Sequence, residues 1–524
     1  MKQVRRNNII ENVLPWALII IVAIGTMLIR LRLLGTPLER DEGEYAYMAQ
    51  LILSGIPPYL KAYSMKFPGI YFVYAIIMSV FGQTTEGIHL GLTLTNVAVI
   101  ILLFLVAKHL FKPPVAAVAS VSFALLALGE SVLGLTANAE QFLLLPMLAG
   151  FLIMLQAVDS GKKIALFLSG LCFGLAFIIK QPGIFFGISA AVYIFWYSGR
   201  IKRVLLFLTG LIMPFIIMCL YLYAAKALSI FWFWTFIYAR VYVSSATLLQ
   251  SLIGFCLKTP NAIKSSWILW IIAVIGFANL LRIKTEPKKR VFLLLFSIAS
   301  ILSILPGSHF RQHYYILILP AASLLIGSAM DGAKQFLPKL RFLLFIIVFC
   351  YSIFQGSPFF FKTTPAEACR TMYGMNPFPE AVELAKYINE HSSKDLTIAV
   401  LGSEPEIYFY LKKNSSIPYV YMYPLMEAHP YAMDMQNDLI NAMELNPPEY
   451  LVFVNIVASW TEWYVSDKLQ KHMFGWFEKF KDTYYEIVGV IDIMPGKNTE
   501  YRWGYKAQMY EPKSNSFIYI FKKH

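Results

Sequence analysis

Apolar residues run unbroken for fifteen to twenty-two positions at a time along the first two thirds of this chain, and polar residues separate those runs in short clusters. The runs lie near 13–34, 87–107, 114–129, 141–158, 164–179, 183–198, 204–225, 266–281, 291–305, 313–330 and 342–358. A membrane-spanning helix needs about 20 predominantly apolar residues, so the pattern predicts about eleven transmembrane helices. A twelfth run, 67–82, holds only sixteen residues. Beyond residue 362 the pattern changes. PFPEAVELAKYINEHS has helical spacing, DLTIAVLG and PPEYLVFVN read as buried strands, EPEIYFYLKK and 467–486 read as helices, and 486–493 and 516–522 read as strands. The expected organisation is a polytopic α-helical membrane domain over 1–362 and a soluble α/β domain over 363–524.

Charge sharpens this picture. Residues 1–362 carry 30 Lys/Arg against 11 Asp/Glu, and residues 363–524 carry 15 against 20. The basic excess therefore belongs to the membrane part, where topology and anionic lipid account for it and nucleic acid does not. Place the N-terminus inside and leave 67–82 uncrossed. Eighteen basic residues then fall in six inner segments: Lys2, Arg5, Arg6; Lys108, Lys112; Lys162, Lys163; Arg200, Lys202, Arg203; Arg282, Lys284, Lys288, Lys289, Arg290; and Lys334, Lys339, Arg341. The short outer loops near 130–140, 180–182 and 306–312 hold only Lys180 and Arg311. Crossing at 67–82 would invert every later loop and break the rule repeatedly. Arg30 and Arg32, at the outer end of the first run, dissent. The first run lacks an A-x-A-like exit and reads as a retained anchor. The five cysteines are scattered without C-x-x-C spacing, which excludes a disulfide framework and a thiolate metal site.

Seven of the eleven acids of the membrane part fall on the outer side in this topology, most of them in ERDEGEYAYMAQ. Asp41 with Glu44 three residues on reads as a capping box. Tyr45, Met48 and Ile52 suit a helix lying in the membrane interface, ended at Gly55. Lys66 follows just before Pro68-Gly69. A lysine there snorkels to headgroups or binds phosphate as a compact cation. A carboxylate and an ammonium on one loop at the bilayer boundary can serve one reaction, the first accepting a proton and the second stabilising a departing phosphate.

These residues carry a resemblance. The stretch from 39 to 82, with Asp41-Glu42, Lys66-Phe67-Pro68-Gly69 and Phe81-Gly82, resembles the first outer loop of the GT-C membrane glycosyltransferases, in the branch of aminoarabinose transferases and protein O-mannosyltransferases. The resemblance implies an inverting transfer of sugar from a polyprenyl-phosphate donor to a lipid, glycan or protein acceptor. It also implies work at the outer face of the plasma (inner) membrane, with the C-terminal domain extracytoplasmic. It places catalysis on Asp41 and Glu42, the donor phosphate and lipid on Tyr63, Lys66, Arg240, Arg311, His313 and Tyr314, and a secondary acid on Glu140. Phe67 stands where the family usually has proline. No cofactor is implied and no metal ligand assigned, although Asp41, Glu42 and Glu140 could share a divalent cation if they converge. His309 and His313 are i,i+4, a metal-capable spacing on a helix, but Arg311 between them repels a cation. The LGSEP turn is not a dinucleotide fingerprint. The competing class is a transporter or flippase of a lipid-linked glycan, which predicts mid-span charges and paired broken helices.

Overall fold

The computed structural model describes residues 13–524 apart from 244–246, 283–285, 394 and 462–465. Lys2, Arg5, Arg6 and Lys284 of the expected inner segments lie outside the described residues. The membrane part opens with helices α1 (Leu14–Arg32), α2 (Arg40–Leu53), α3 (Gly69–Phe81), α4 (Thr85–Leu110), α5 (Pro113–Leu126), α6 (Ala139–Ser160), α7 (Lys163–Ile179), α8 (Gly183–Ser198) and α9 (Ile201–Ala224). Each of the eleven expected runs falls on a helix. Among the described residues, six helices are long and apolar enough to cross a membrane: α1, α4, α6, α9, Leu249–Leu281 and Leu340–Phe361. Helix α3 has 13 residues, a rise of about 20 Å against a hydrocarbon core of about 30 Å. Helix α5 is nearly as short, but every residue from Val115 to Leu126 is buried inside the bundle.

Small residues bring the helices together. A Cβ on Gly170 of α7 would stand 2.1 Å from Phe207 O, and one on Gly210 of α9 would stand 2.2 Å from Phe167 O. Without a hydrophobic drive between helices in lipid, such close backbone approach supplies the packing energy. Two arginines complete the frame. Arg30 donates to Ala127 O and Gly134 O, both at 2.8 Å, at the carbonyl end of α5. Arg32 donates to Phe360 O (3.0 Å) and Phe359 O (3.1 Å) at the end of Leu340–Phe361. Cations at helix C-termini satisfy orphan carbonyls and the helix dipole. This is why both stand on the side where basic residues were not expected.

The stretch 226–264, which lies between two of the expected runs, is helical over Leu228–Val243 and again from Leu248, where a Thr247–Gln250 capping box starts the chain toward Trp267–Arg282. The C-terminal part holds a five-stranded sheet of order β1-β2-β5-β3-β4: β1 (Ile398–Leu401), β2 (Tyr450–Asn455), β3 (Tyr485–Asp492), β4 (Glu500–Trp503) and β5 (Phe517–Lys523). Only β1 and β2 pair in parallel.

The two parts meet on α2, whose residues Arg40 to Leu51 are all buried. The helix therefore does not lie in a lipid interface as its periodicity indicated; the C-terminal domain covers the face expected to meet headgroups. Gln50 Nε2 donates to Phe409 O (3.2 Å), Leu38 N to the Tyr410 hydroxyl (2.8 Å), Ser415 N to the Tyr47 hydroxyl (2.8 Å), and Arg40 Nη2 to Glu404 Oε1 (2.8 Å). Glu406 packs at the closest point of this contact. Burial first, and Glu404 beside it, push its carboxyl well above the usual range.

Gly43 is the point of contact. A Cβ there would stand 2.5 Å from Glu406 N, so backbone must move. Gly43→Ala is expected to loosen the C-terminal domain and lower stability by about 1–3 kcal/mol, read as a lower thermal midpoint in detergent and faster proteolysis between the two parts.

Candidate active site

Helix α2 begins with Glu39, not Asp41, as N-cap. Glu42 N donates to Glu39 Oε1 (3.3 Å) and Glu39 N to Glu42 Oε2 (3.1 Å), a capping box two residues ahead of the expected one. Glu42 Oε1 also accepts from Ala137 N (2.6 Å) and lies 2.9 Å from His89 Nε2. Both Glu42 oxygens are thus engaged: Oε2 caps α2 itself, and Oε1 joins it to α4 and to the loop before α6. Glu42 is fully buried and does not line the cavity described next, so the structure does not bring it to the site with Asp41.

With the cap made elsewhere, Asp41 faces a cavity of about 540 Å³. Charged and polar side chains line one part of it: Asp41, Lys66, Glu140, Lys180, Arg240 and Arg311. Apolar side chains line another, including Phe67, Phe177, Phe185, Trp234, Phe236 and Leu317. Such a lining suits an amphiphile with a charged head.

Lys66 organises the charged part. Its Nζ donates to Asp41 Oδ1 (2.7 Å) and Glu44 Oε2 (2.5 Å), lies 3.3 Å from the Tyr421 hydroxyl, and sits 4.7 Å from the Tyr45 ring centroid. The Tyr71 hydroxyl donates to Glu44 Oε1 (2.7 Å). Burial acts to raise the Asp41 carboxyl, but Lys66, Arg311 and His313 together outweigh it and hold the group well below the usual carboxylate range. Burial acts likewise against the Lys66 ammonium, and Asp41 and Glu44 raise it above its ordinary value. The pair is ionised at neutral pH.

A second pair stands across the cavity. Lys180 Nζ donates to Glu140 Oε1 and lies 4.7 Å from the Tyr314 ring centroid. His313 Nε2 lies 3.9 Å from Asp41 Oδ2 and 3.8 Å from Glu140 Oε1, so the imidazole stands between the two carboxylates without hydrogen-bonding either. Glu140 Oε2 is buried and has no hydrogen-bond partner among the described residues. His309 and His313 do not share a helix face: Phe310 has φ 45° and Arg311 is extended. His309 stacks instead on Tyr242 (4.6 Å). Among the described residues no three of His, Cys, Asp and Glu are placed to hold a metal ion.

The cavity therefore gathers Asp41, Tyr63, Lys66, Glu140, Arg240, Arg311 and Tyr314, with His313 behind them. Residues 35 to 315 in the chain supply these groups, and helix starts hold several of them. Sequence reasoning passed over Lys180, Glu44 and the tyrosines of the C-terminal domain, Tyr419, Tyr421 and Tyr423. Lys180 carried a signal: it was one of two basic residues in the short outer loops, and the other, Arg311, also lines the cavity.

Residues 65–223 match the family model of dolichyl-phosphate-mannose-protein mannosyltransferase. No curated protein sequence matches the chain. Among solved structures, ArnT from Cupriavidus metallidurans bound to undecaprenyl phosphate aligns with a TM-score of 0.57 at 15% identity, over 84% of this chain and 92% of that one. The archaeal oligosaccharyltransferase AglB from Archaeoglobus fulgidus, in complex with an inhibitory peptide and a dolichol-phosphate, aligns with a TM-score of 0.51 at 12% identity, over 95% of this chain and 75% of that one. The resemblance to GT-C membrane glycosyltransferases read from the first outer loop holds at the level of fold and of the matched segment.

Asp41 titrates lower in the folded chain than unfolded. Its pairing therefore stabilises the fold above the ordinary carboxylate pKa of about 4 and is lost as pH falls below it. The thermal midpoint is expected to drop on acidification from pH ~5 to ~3, and to drop less in Asp41→Asn.

Proposed function

We propose that this protein is an inverting glycosyltransferase that moves a sugar from a polyprenyl-phosphate donor to a lipid, glycan or protein acceptor at the outer face of the plasma (inner) membrane. The observation that carries the reading is an ionised, partly buried Asp41 in a cavity lined on one part by cations and on another by apolar side chains. The polyprenyl chain takes the apolar lining, as the lipid phosphates named for ArnT and AglB would. Asp41 orients the acceptor hydroxyl and takes its proton. The acceptor oxygen bonds to the anomeric carbon from the face opposite the phosphate, and polyprenyl phosphate leaves with the bonding pair. That leaving group is stable as an anion, so catalysis asks for charge stabilisation and for placement of both substrates more than for an acid.

Arg240 and Arg311 are the phosphate ligands in this reading. Arg240 is solvent-exposed at the cavity and forms no ion pair among the described residues. Lys66 has two N–H groups engaged by Asp41 and Glu44; the third, facing Tyr421 at 3.3 Å, can turn to a phosphate oxygen. Tyr63 and Tyr314 wall the donor, Glu140 with Lys180 and His313 forms the secondary acidic group, and Glu42 is structural. No metal or cofactor enters the scheme.

The finer topology belongs to the same proposal: a domain of eleven spans over 1–362, with α2 and α3 uncrossed on the outer side, and an extracytoplasmic domain over 363–524. Its support is that the basic residues at the outer end of the first run and in the short outer loops have other work. Arg30 and Arg32 hold helix-end carbonyls, and Lys180 and Arg311 line the cavity.

Asp41→Asn is expected to insert and fold but to lose about a thousand-fold in turnover with undecaprenyl-phosphate-linked mannose or aminoarabinose as donor; near-wild-type turnover would sink the assignment. A reporter tag at 83–86 is expected to label from outside in intact cells, and labelling from the cytoplasm would invert the topology.

A further inference from the structure

The segment Pro418–Pro424 carries tyrosine at every second position: Tyr419, Tyr421 and Tyr423. It passes beside the loop that carries Tyr63 and turns into the short helix Tyr423–Met426. Tyr63 N donates to Pro418 O (2.8 Å), and Tyr63 and Tyr419 form a parallel bridge. The three tyrosines line the cavity, while Val420 and Met422 between them are buried in the core. Met422 N donates to Ser403 Oγ (2.9 Å), which fixes the segment from the side of the sheet.

Tyr421 reaches the Asp41 carboxylate. Its hydroxyl donates to Asp41 Oδ1 (3.1 Å), the oxygen that also accepts from Lys66 Nζ, with Arg40 O at 3.3 Å as a second acceptor. Tyr419 instead packs edge-on against Tyr63 (5.2 Å), and the Tyr423 hydroxyl donates to Ala458 O (2.6 Å) within the C-terminal domain. Burial, then Glu44 and Asp41, push the Tyr421 phenol well above its ordinary value, so it remains a donor at neutral pH.

We propose that Tyr421 of the C-terminal domain is the positioning residue for Asp41, making that domain half of the reaction site and not a cover over it. The proposal rests on the reading of Asp41 as the reacting carboxylate. Two donors on Oδ1 stop rotation of the carboxylate and leave Oδ2 as the basic oxygen. His313 Nε2, 3.9 Å from Oδ2, is beyond hydrogen-bond reach, so no hydrogen bond among the described residues occupies the oxygen that an acceptor hydroxyl would meet from the cavity. The hydroxyl proton passes to Oδ2 as the bond to the anomeric carbon forms and the bond to phosphate breaks. Lys66 alone, on a flexible stem and shared with Glu44, would fix the carboxylate less well.

The test uses the full chain in detergent. Tyr421→Phe removes one oxygen. It leaves the other groups facing Asp41 in place: Lys66 on the first loop, Arg311 and His313 on the segment after 306, Glu140 with Lys180 across the cavity, and Glu39 and Glu44 on α2. With undecaprenyl-phosphate-linked mannose and aminoarabinose as donor probes and cell membranes as acceptor source, kcat is expected to fall about ten-fold at unchanged donor KM. The acid limb of its pH profile is expected to move up by about one pH unit. Tyr510→Phe, which removes a hydroxyl bonded to Asp492 Oδ2 (2.8 Å) far from the cavity, is expected to leave both unchanged. Thermal midpoints supply a readout independent of turnover. Tyr421→Phe and Asp41→Asn are expected to be non-additive, and Tyr510→Phe and Asp41→Asn additive. Additive effects of the first pair, or an unaltered kcat and pH profile in Tyr421→Phe where Asp41→Asn is inactive, would overturn the inference and leave the functional reading standing. A fully active Asp41→Asn would overturn that reading itself.

Discussion

A single ammonium holds this site together. Lys66 Nζ bridges Asp41 and Glu44, two carboxylates on one buried helical turn. Either acid left there alone would carry an uncompensated charge out of water, a cost that normally drives protonation or unfolding. The loop that delivers Lys66 is shaped to keep it in place: the Tyr59 hydroxyl donates to Lys66 O (2.6 Å), and Lys66 N donates to Ser64 Oγ (3.1 Å). Tyr71, from α3, meets the outer oxygen of Glu44. The loop that joins α2 to α3 is therefore closed by charge, and α2 and α3 sit where that closure puts them.

The helices were legible because lipid demands long apolar runs, and the expected stretches all landed on helices. The soluble part was nearly as readable. Its buried strands at 398–401, 450–455, 485–492 and 517–523 have the alternation or apolar runs expected of them, whereas β4 over 500–503 is an edge strand, half-buried along its length, and left no such trace. The site was harder. Asp41 and Lys66 stood out as charges beside an apolar run. Glu42 looked catalytic because sequence shows an acid but not its partners: here an N-cap amide, a loop amide and His89. The capping box was displaced by two residues because two overlapping acid pairs, 39/42 and 41/44, satisfy the same spacing, and only packing selects between them.

The C-terminal domain meets the membrane part through the loops that follow its two parallel strands. Ser403 and Glu404 follow β1, Ser459 follows β2, and the Ser459 hydroxyl donates to Glu404 Oε1 (2.5 Å), which also accepts from Arg40. In open α/β sheets the carboxyl ends of parallel strands are where ligands are held. Here that edge holds a helix of the same chain and, beside it, the tyrosines that face the cavity. The periodicity that marks those tyrosines is two, in a stretch too short to read as a strand, between a lysine-rich turn and a proline.

Lys66 and Tyr421 touch across 355 residues of sequence. A ribosome adds about 5–20 residues per second, so the growing chain holds its ammonium and carboxylates for roughly 20–70 seconds before the phenol that completes the cluster exists. Through that interval Glu44 has Lys66 and Tyr71 as company, and Asp41 has Lys66 and, once they are made, Arg311 and His313. The order of synthesis thus leaves the final geometry of the cluster to a segment made long after its charges, and a chain that stops short of residue 421 would insert its helices without ever reaching that geometry.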